Sequence, residues 1–308
     1  MKRREVEMLW KPGKIELLAP ARDLRSARAA IDCGADAVYM GGPRFGARQA
    51  AGNSVADIAA VAEYARRFGV RVYVTLNTLL FDDELADAER IARQVVEAGA
   101  DALIVQDMAY LEMELEGVEL HASTQTFNAS PEKAAFLADC GFSRVILERN
   151  LSLEEIRRIR AATDVELECF VHGAICVCYS GRCYMSRTMS PRSGNRGDCM
   201  QACRLPYDLL DAAGNVLMAG KHLLSVRDMD LSGRLGDLLD AGVTSFKIEG
   251  RLKDEAYVRN VVAWSRTRLD REIAARPGLV RASEGQSDPG FEPDLARTFS
   301  RGRTEYFF

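Results

Sequence analysis

Four times along the chain, a segment with helical apolar spacing ends at a glycine and opens directly onto a continuous apolar run: Gly34 before 35–40, Gly99 before 100–105, Gly141 before 142–147 and Gly242 before 243–248. A glycine just past a helix adopts the left-handed backbone that ends it, and an uninterrupted apolar run reads as a strand buried on both faces. Further runs at 15–20, 70–76, 118–121 and 165–171 bring the expected strands to eight, with Pro20 closing the first. Helices are expected at about 24–31, 54–68, 83–98, 131–140, 152–162, 233–241 and 254–273.

Strands that alternate with helices pair in parallel through right-handed crossovers, and eight of them favour a closed α/β barrel of the TIM-like (β/α)8 type over an open doubly wound sheet. Gly41-Gly42 lacks the spacing of a dinucleotide fingerprint, which removes a Rossmann reading. The repeat breaks once, at a cysteine-bearing insertion over 174–232 between strands 7 and 8, with a hairpin around Ala213-Gly214-Asn215. The domain reading is an N-terminal arm over 1–14, a barrel domain over 15–275 that includes the insertion, and a linker and tail over 276–308.

In such a barrel the working side chains stand where strands end and the next loops begin. Those positions hold Arg48, Asn77, Gln106, Asp107, His121, Ser123, Gln125, Glu148, Arg149, His172, Lys247, Glu249 and Arg251, so polar groups converge on one rim, joined by the insertion after Val171. Each has an ordinary alternative as a loop cap or a structural ion pair.

The 41 Lys and Arg against 45 Asp and Glu leave a formal charge of −4, so no global basic field announces nucleic acid. The insertion differs: Arg182, Arg187, Arg192, Arg196 and Arg204 face a single acid, Asp198. This basic loop suits phosphate or carboxylate recognition, or, alternatively, hydrogen bonds to its own carbonyls. No run approaches 18 apolar residues and the charged N-terminus leads into no apolar segment, so a cytoplasmic protein without membrane contact is expected.

Six of the eight cysteines fall between 169 and 203, and Cys176, Cys183, Cys199 and Cys203 form a C-x6-C-x15-C-x3-C pattern. Only the last pair has zinc-like spacing, whereas iron–sulfur clusters accept varied thiolate spacing. Spacing alone leaves a 4Fe–4S cluster, zinc and unliganded redox thiols open. Cys169, in an alternating run, reads as a core residue, and Cys178 could replace Cys176 as a ligand.

Glu168-x-Phe170-x-x-Gly173-Ala174-Ile175-Cys176, then Gly181-x-Cys183-x-Met185-Ser186, resembles the signature of the collagenase-like peptidase family U-32, and Asn195-Arg196-Gly197-Asp198-Cys199-x3-Cys203-Arg204 is similar to its next block. Weaker similarity runs from about residue 15 to about 262. The resemblance implies that Cys176, Cys183, Cys199 and Cys203 hold a 4Fe–4S cluster, with zinc the alternative. It also implies oxygen-independent hydroxylation of an RNA base, rRNA cytidine or tRNA uridine, with prephenate as a small carboxylate hydroxyl donor and an unidentified electron donor. Lys221-His222-Leu223-Leu224-Ser225 looks most like the rRNA cytidine enzymes. Proton transfer is expected of His121, His172 and Glu249. Substrate binding is expected of Arg48, Asn77, Gln125, Tyr179, Arg182, Arg196, Arg204, Lys247 and Arg251, with Tyr179 stacking on a base. Asn150 stands where an acidic residue is expected. Three alternatives accompany this reading: a peptidase, despite the lack of H-E-x-x-H and Gly-x-Ser-x-Gly motifs, a quinone-precursor hydroxylation subunit, and a non-catalytic cluster-binding scaffold.

Overall fold

The computed structural model describes residues 13–306 and 308, so most of the expected N-terminal arm lies outside the described residues. Seven parallel strands, β1 (Lys14–Pro20), β2 (Ala37–Gly41), β3 (Arg71–Leu76), β4 (Ala102–Val105), β5 (Glu119–Ala122), β6 (Arg144–Ile146) and β7 (Glu166–Gly173), pair in sequence order. An eighth strand, Ser245–Ile248, pairs in parallel with both β7 and β1 and closes the barrel. The expected (β/α)8 architecture is therefore present, although β4 and β5 are joined only by a 3-10 turn, Met108–Leu111.

The helices begin and end where their sequence signals place them. Val55–Arg66 opens with Ser54 and Asp57 capping each other, and Leu153–Ala162 does the same with Ser152 and Glu155. Leu85–Glu97 buries Ala88, Ile91, Ala92 and Val95, the i, i+3, i+4, i+7 stripe of a helix laid on a sheet. The glycines of the repeating unit, Gly34, Gly99, Gly141 and Gly242, all have positive φ.

One layer of the barrel interior is ionic. Arg144, 1% exposed, donates to Glu16 at 2.6 Å, to Glu168 at 2.8 Å and to Glu166 at 2.9 Å. Tyr73 adds a hydroxyl donated to Glu16 at 2.5 Å, and Lys247 reaches Glu168 at 2.6 Å. Charges so deeply buried persist only when fully paired. Burial raises the carboxyl of Glu166, whereas for Glu16 the Arg144 guanidinium outweighs burial and holds the carboxyl low.

After β7 the chain leaves the barrel for the cysteine loops and a two-stranded antiparallel hairpin, Tyr207–Leu210 with Val216–Lys221, whose Leu209, Leu210, Val216, Leu217 and Met218 are exposed. It returns through Asp228–Asp230, which pairs antiparallel with the end of β7 at Gly173 and His172. Residues expected to form a linker are docked instead. Val280–Arg281 pairs with the start of β1, and Ser283 donates to Asp36 at 2.6 Å, because Asp36 is a buried acid that also needs Arg266 at 2.7 Å and the Leu17 amide at 2.8 Å. No helix among the described residues is long and apolar enough to cross a membrane.

Candidate active site

A cavity of about 340 Å³ opens at the C-terminal end of the barrel, between strand ends and cysteine loops. Cys176, Cys178, Cys183, Cys199 and Cys203 line its loop side. Arg48, Asn77, Arg149, Lys247, Glu249 and Arg251 line the barrel side, among Tyr39, Thr75, Ser123, Thr124 and Phe170.

The cysteine loop is fastened to the rim by a buried network. Glu148, at the end of β6, accepts from the Ser180 amide at 3.0 Å and from the Ser180 hydroxyl at 2.9 Å. Arg149 donates to the same hydroxyl at 3.3 Å and to Glu249 at 2.6 Å, with its guanidinium 3.7 Å from the centre of the Phe170 ring. Gly181 sits next in the loop at φ +70, so close to the 3-10 turn after β5, Thr124–Thr126, that a Cβ there would lie 1.9 Å from the Gln125 carbonyl oxygen. Only glycine admits both that backbone and that approach.

All eight cysteines are free thiols. Burial and the neighbouring Cys183 and Cys176 push the Cys178 thiol up to about 11, and burial also raises Cys203, whose thiol is influenced by Cys176, Cys199 and Cys183. The Cys199 Sγ accepts from the Gln201 amide at 3.3 Å and lies 3.9 Å from the Ser186 hydroxyl. An all-thiol set with amide donors to sulfur suits a thiolate-held cluster. Among the described residues, no three His, Cys, Asp or Glu side chains already stand at metal-binding distance around one point. The loops thus present a donor set on one wall and not a closed cage. Cys169 is buried in the core, away from the cavity.

Of the expected site residues, Arg48, Asn77, Gln125, Tyr179, Lys247, Glu249, Arg251 and the four cysteines line this one cavity. Asn77 is fixed by donating to Ser123 at 3.0 Å and accepting from the Ala47 amide at 2.9 Å. Tyr179 is half-exposed at the mouth, edge-on to Phe127 at 5.0 Å.

The proton-transfer candidates need correction. His121 is wholly buried inside the barrel, 3.2 Å from Glu119 and edge-on to Tyr73, and burial lowers its pKa; it does not line the cavity. His172 is turned the other way by a β-bulge: Lys247 pairs with Phe170 but Ile248 pairs with His172, so β7 carries one extra residue at Val171. Its ring faces Tyr257, and its Nδ1 lies 3.8 Å from Asp230, too far for a hydrogen bond. Glu249 does line the cavity. Burial alone would raise its carboxyl, but Arg149, Arg48 and Arg251 outweigh burial and hold it down at about 2, which disqualifies it as an acid or base near neutrality.

The basic loop is largely spent on the protein. Arg196 pairs with Glu84 at 2.5 Å and donates to the Leu79 carbonyl; Arg204 donates to Ile175 and Val226 carbonyls at 2.6 and 2.7 Å and to Ser225 at 3.1 Å. Arg192 pairs with Asp198, and Arg182 lies over the Phe127 ring at 4.1 Å. None of these four lines the cavity. Its cations, Arg48, Arg149, Lys247 and Arg251, come instead from strand ends and the loops that follow them, and Arg149 among them had only its rim position to mark it. Tyr39, Thr75, Thr124 and Ser180 were missed; Thr75 and Tyr39 stand among apolar strand neighbours that hide them.

The sequence model of Peptidase family U32 matches residues 22–308. The chain is 54% identical over 294 residues to the 23S rRNA 5-hydroxycytidine synthase of Escherichia coli, covering 96% of this chain and 45% of that protein, so it spans less than half of that relative's length. It is 35% identical to tRNA hydroxylation protein P1 of Bacillus subtilis, covering 95% of this chain and 72% of that one. It is 34% identical to a collagenase of Porphyromonas gingivalis, covering 80% and 63%. A solved U32 peptidase superposes with a TM-score of 0.50 over 78% of this chain and 95% of that one at 15% identity, a likeness of fold.

Proposed function

Because the chain belongs to Peptidase family U32, we propose that it is an enzyme that hydroxylates an RNA base at this cavity, using a 4Fe–4S cluster held by Cys176, Cys183, Cys199 and Cys203. The observation that carries the reading is the pairing of a cysteine wall with a cationic floor. Four cations, Arg48, Arg149, Lys247 and Arg251, line the cavity against one carboxylate, Glu249, which Arg149 already neutralises. Such a floor attracts a small carboxylate, and prephenate is the hydroxyl donor we infer. Tyr179 at the mouth offers a face on which a base can stack. When bound through these four thiolates, the cluster would supply one-electron chemistry beside the cavity. The 54% identity to an rRNA cytidine hydroxylase favours rRNA cytidine, and the similarity to tRNA hydroxylation proteins supports tRNA uridine next.

A peptidase is not supported by the same cavity. Ser123, Thr124 and Ser180 are present, but none of the three histidines, His121, His172 and His222, lines it, so no hydroxyl or thiol has an imidazole base.

The test is anaerobic purification of the chain and of Cys176→Ala with iron, sulfide and zinc assays, followed by nucleoside mass spectrometry of rRNA and tRNA from a host lacking its own hydroxylases. About four irons per chain, lost in the variant, and a 5-hydroxypyrimidine restored by the native chain are expected. Zinc without iron, or a loaded cluster with unchanged RNA, would remove the proposal, and in the second case a changed quinone pool would point to the quinone-precursor branch.

A further inference from the structure

Beside the candidate active site lies a second cavity of about 260 Å³, and Arg48 is the one residue that lines both. One wall is the glycine-rich turn after β2, residues 42–46, and Arg196 and Glu84 stand on another. The turn is held in a single shape. Gly41 bridges in parallel to Gly52, and Asn53 donates to the Gly41 and Ala51 carbonyls at 3.2 and 3.1 Å. Phe45 keeps a left-handed backbone at φ +61 while its carbonyl accepts from the Thr78 amide at 3.0 Å and the Thr78 hydroxyl at 3.1 Å. A strained non-glycine residue persists only where its surroundings fix it, and such positions gather at ligand sites. Gly46 has no left-handed backbone, and a Cβ on it would meet nothing closer than the Thr75 carbonyl oxygen at 3.5 Å, so packing does not demand glycine there. Bare backbone at a cavity wall suits a ligand that approaches the main chain closely.

The cations of this cavity differ in what they are free to hold. Arg196 is paired with Glu84, and Arg44 with Asp87 on the exposed side. Arg48 is half-buried and has no ion-pair partner among the described residues; its guanidinium donates to the carbonyl of its own neighbour Ala47 at 3.0 Å. Glu249 is near enough for Arg48 to help hold that carboxyl low, but its hydrogen bond is to Arg149. A guanidinium without a carboxylate, placed where two cavities meet, is an anion-binding group. At the outer edge Phe81 is 62% exposed, with the Arg196 guanidinium 4.5 Å from its ring centre. A cationic pocket beside an exposed aromatic ring suits a single nucleic-acid strand, with backbone in the pocket and a base on the ring.

We propose that the second cavity is a phosphate subsite for RNA: with the target base in the first cavity, the adjoining phosphodiester lies between Arg48 and Arg44 against the 42–46 turn, and the next base stacks on Phe81. The assignment rests on the hydroxylase reading for the strand it seats. Because Arg48 serves both cavities, it ties the position of the strand to the position of the base.

The test is equilibrium binding of a fluorescein-labelled single-stranded oligocytidylate to the cluster-loaded chain across salt concentrations, which needs no turnover. Arg48→Gln and Arg44→Gln should each reduce the slope of log affinity against log salt by about 0.7, the value for one phosphate of a single strand, with iron content and melting temperature unchanged. Arg48→Lys should restore the slope, and Phe81→Ala should weaken binding about fivefold or more at an unaltered slope. A native slope in either Arg→Gln variant overturns the proposal, as does a native affinity in Phe81→Ala. So does calorimetry in which inorganic phosphate binds through Arg48 while the oligonucleotide slope is independent of it, since the site then serves a small phosphorylated molecule. If the native chain shows the expected slopes but hydroxylates no nucleoside, the hydroxylase reading fails and the subsite stands as an RNA site. If it hydroxylates RNA while the slopes stay native, the subsite fails and the reading stands.

Discussion

Replacing Arg144 by Met tests the ionic layer of the barrel directly. The substitution keeps a long flexible side chain in the space but removes the cation shared by Glu16, Glu166 and Glu168, all at least nine-tenths buried. Glu168 retains Lys247 and Glu16 retains the charge of nearby Arg71 with the Tyr73 and Ser245 hydroxyls, whereas Glu166 is left with the Thr244 hydroxyl. Leaving buried charges uncompensated costs on the order of 3–5 kcal/mol, which lowers the melting temperature by roughly 5–8 °C in a chain of this size. The pH dependence gives the sharper check. With Arg144 present, Glu16 is held at about 2, so its contribution is present above the ordinary carboxylate range and is lost only as pH falls through about 2. Glu166 carries the opposite sign: burial already raises it to about 7, and without the guanidinium it loses the cation that opposes burial, so the variant loses further stability as pH rises above the ordinary carboxylate range. Urea unfolding followed by circular dichroism at pH 8 and pH 5 should therefore show a gap between native chain and variant that narrows on acidification. A cost below about 1 kcal/mol, or a gap of equal size at both pH values, would refute the paired arrangement.

Three further outcomes follow from the site. Gly181→Ala should lose most of its iron while melting only slightly earlier, because the added Cβ meets the Gln125 carbonyl at a strained φ and lifts the cysteine loop; full iron loading would contradict that packing. Glu249→Gln should lower nucleoside yield by the same factor at pH 6 and pH 8, since the carboxyl is held at about 2 and stays ionised between them; loss of one limb of the pH profile would restore Glu249 as an acid or base. Arg204→Ala should make the insertion more sensitive to proteolysis and leave the salt dependence of RNA binding unchanged, whereas a slope reduced by about one would identify Arg204 as a phosphate contact.

The barrel was legible in the sequence because each strand and helix is specified by local pattern and by the glycine between them. The Cys176-to-Cys203 motif and the rim residues were legible for a related reason: a (β/α)8 topology brings strand ends together wherever the sequence places them. Side-chain direction was not legible. The extra residue at Val171 that swings His172 out of the barrel leaves no mark in a continuous apolar strand. Nor does charge reveal its partner: Arg196 and Arg204 read as free loop cations but are spent on Glu84 and on carbonyls far away in sequence. Arg149 read as one rim group among many, and its weight comes from Glu249, Ser180 and Phe170, which only the fold supplies.

The docking of residues 280–283 on β1 and Asp36 bears on how the chain is made. The first strand finds its neighbours at both ends of the sequence: Glu16 pairs with Ser245, and Asp36 receives Ser283 across 247 residues. During synthesis β1 emerges with one ladder unpaired and an acid, Glu16, whose cation Arg144 is translated 128 residues later. Contacts of such separation form late and slowly, leaving an open strand edge for the length of translation. The nascent chain should therefore depend on chaperone occupancy until residues 245–283 have left the ribosome, and truncations before residue 245 should be held by chaperones or aggregate instead of folding into partial barrels.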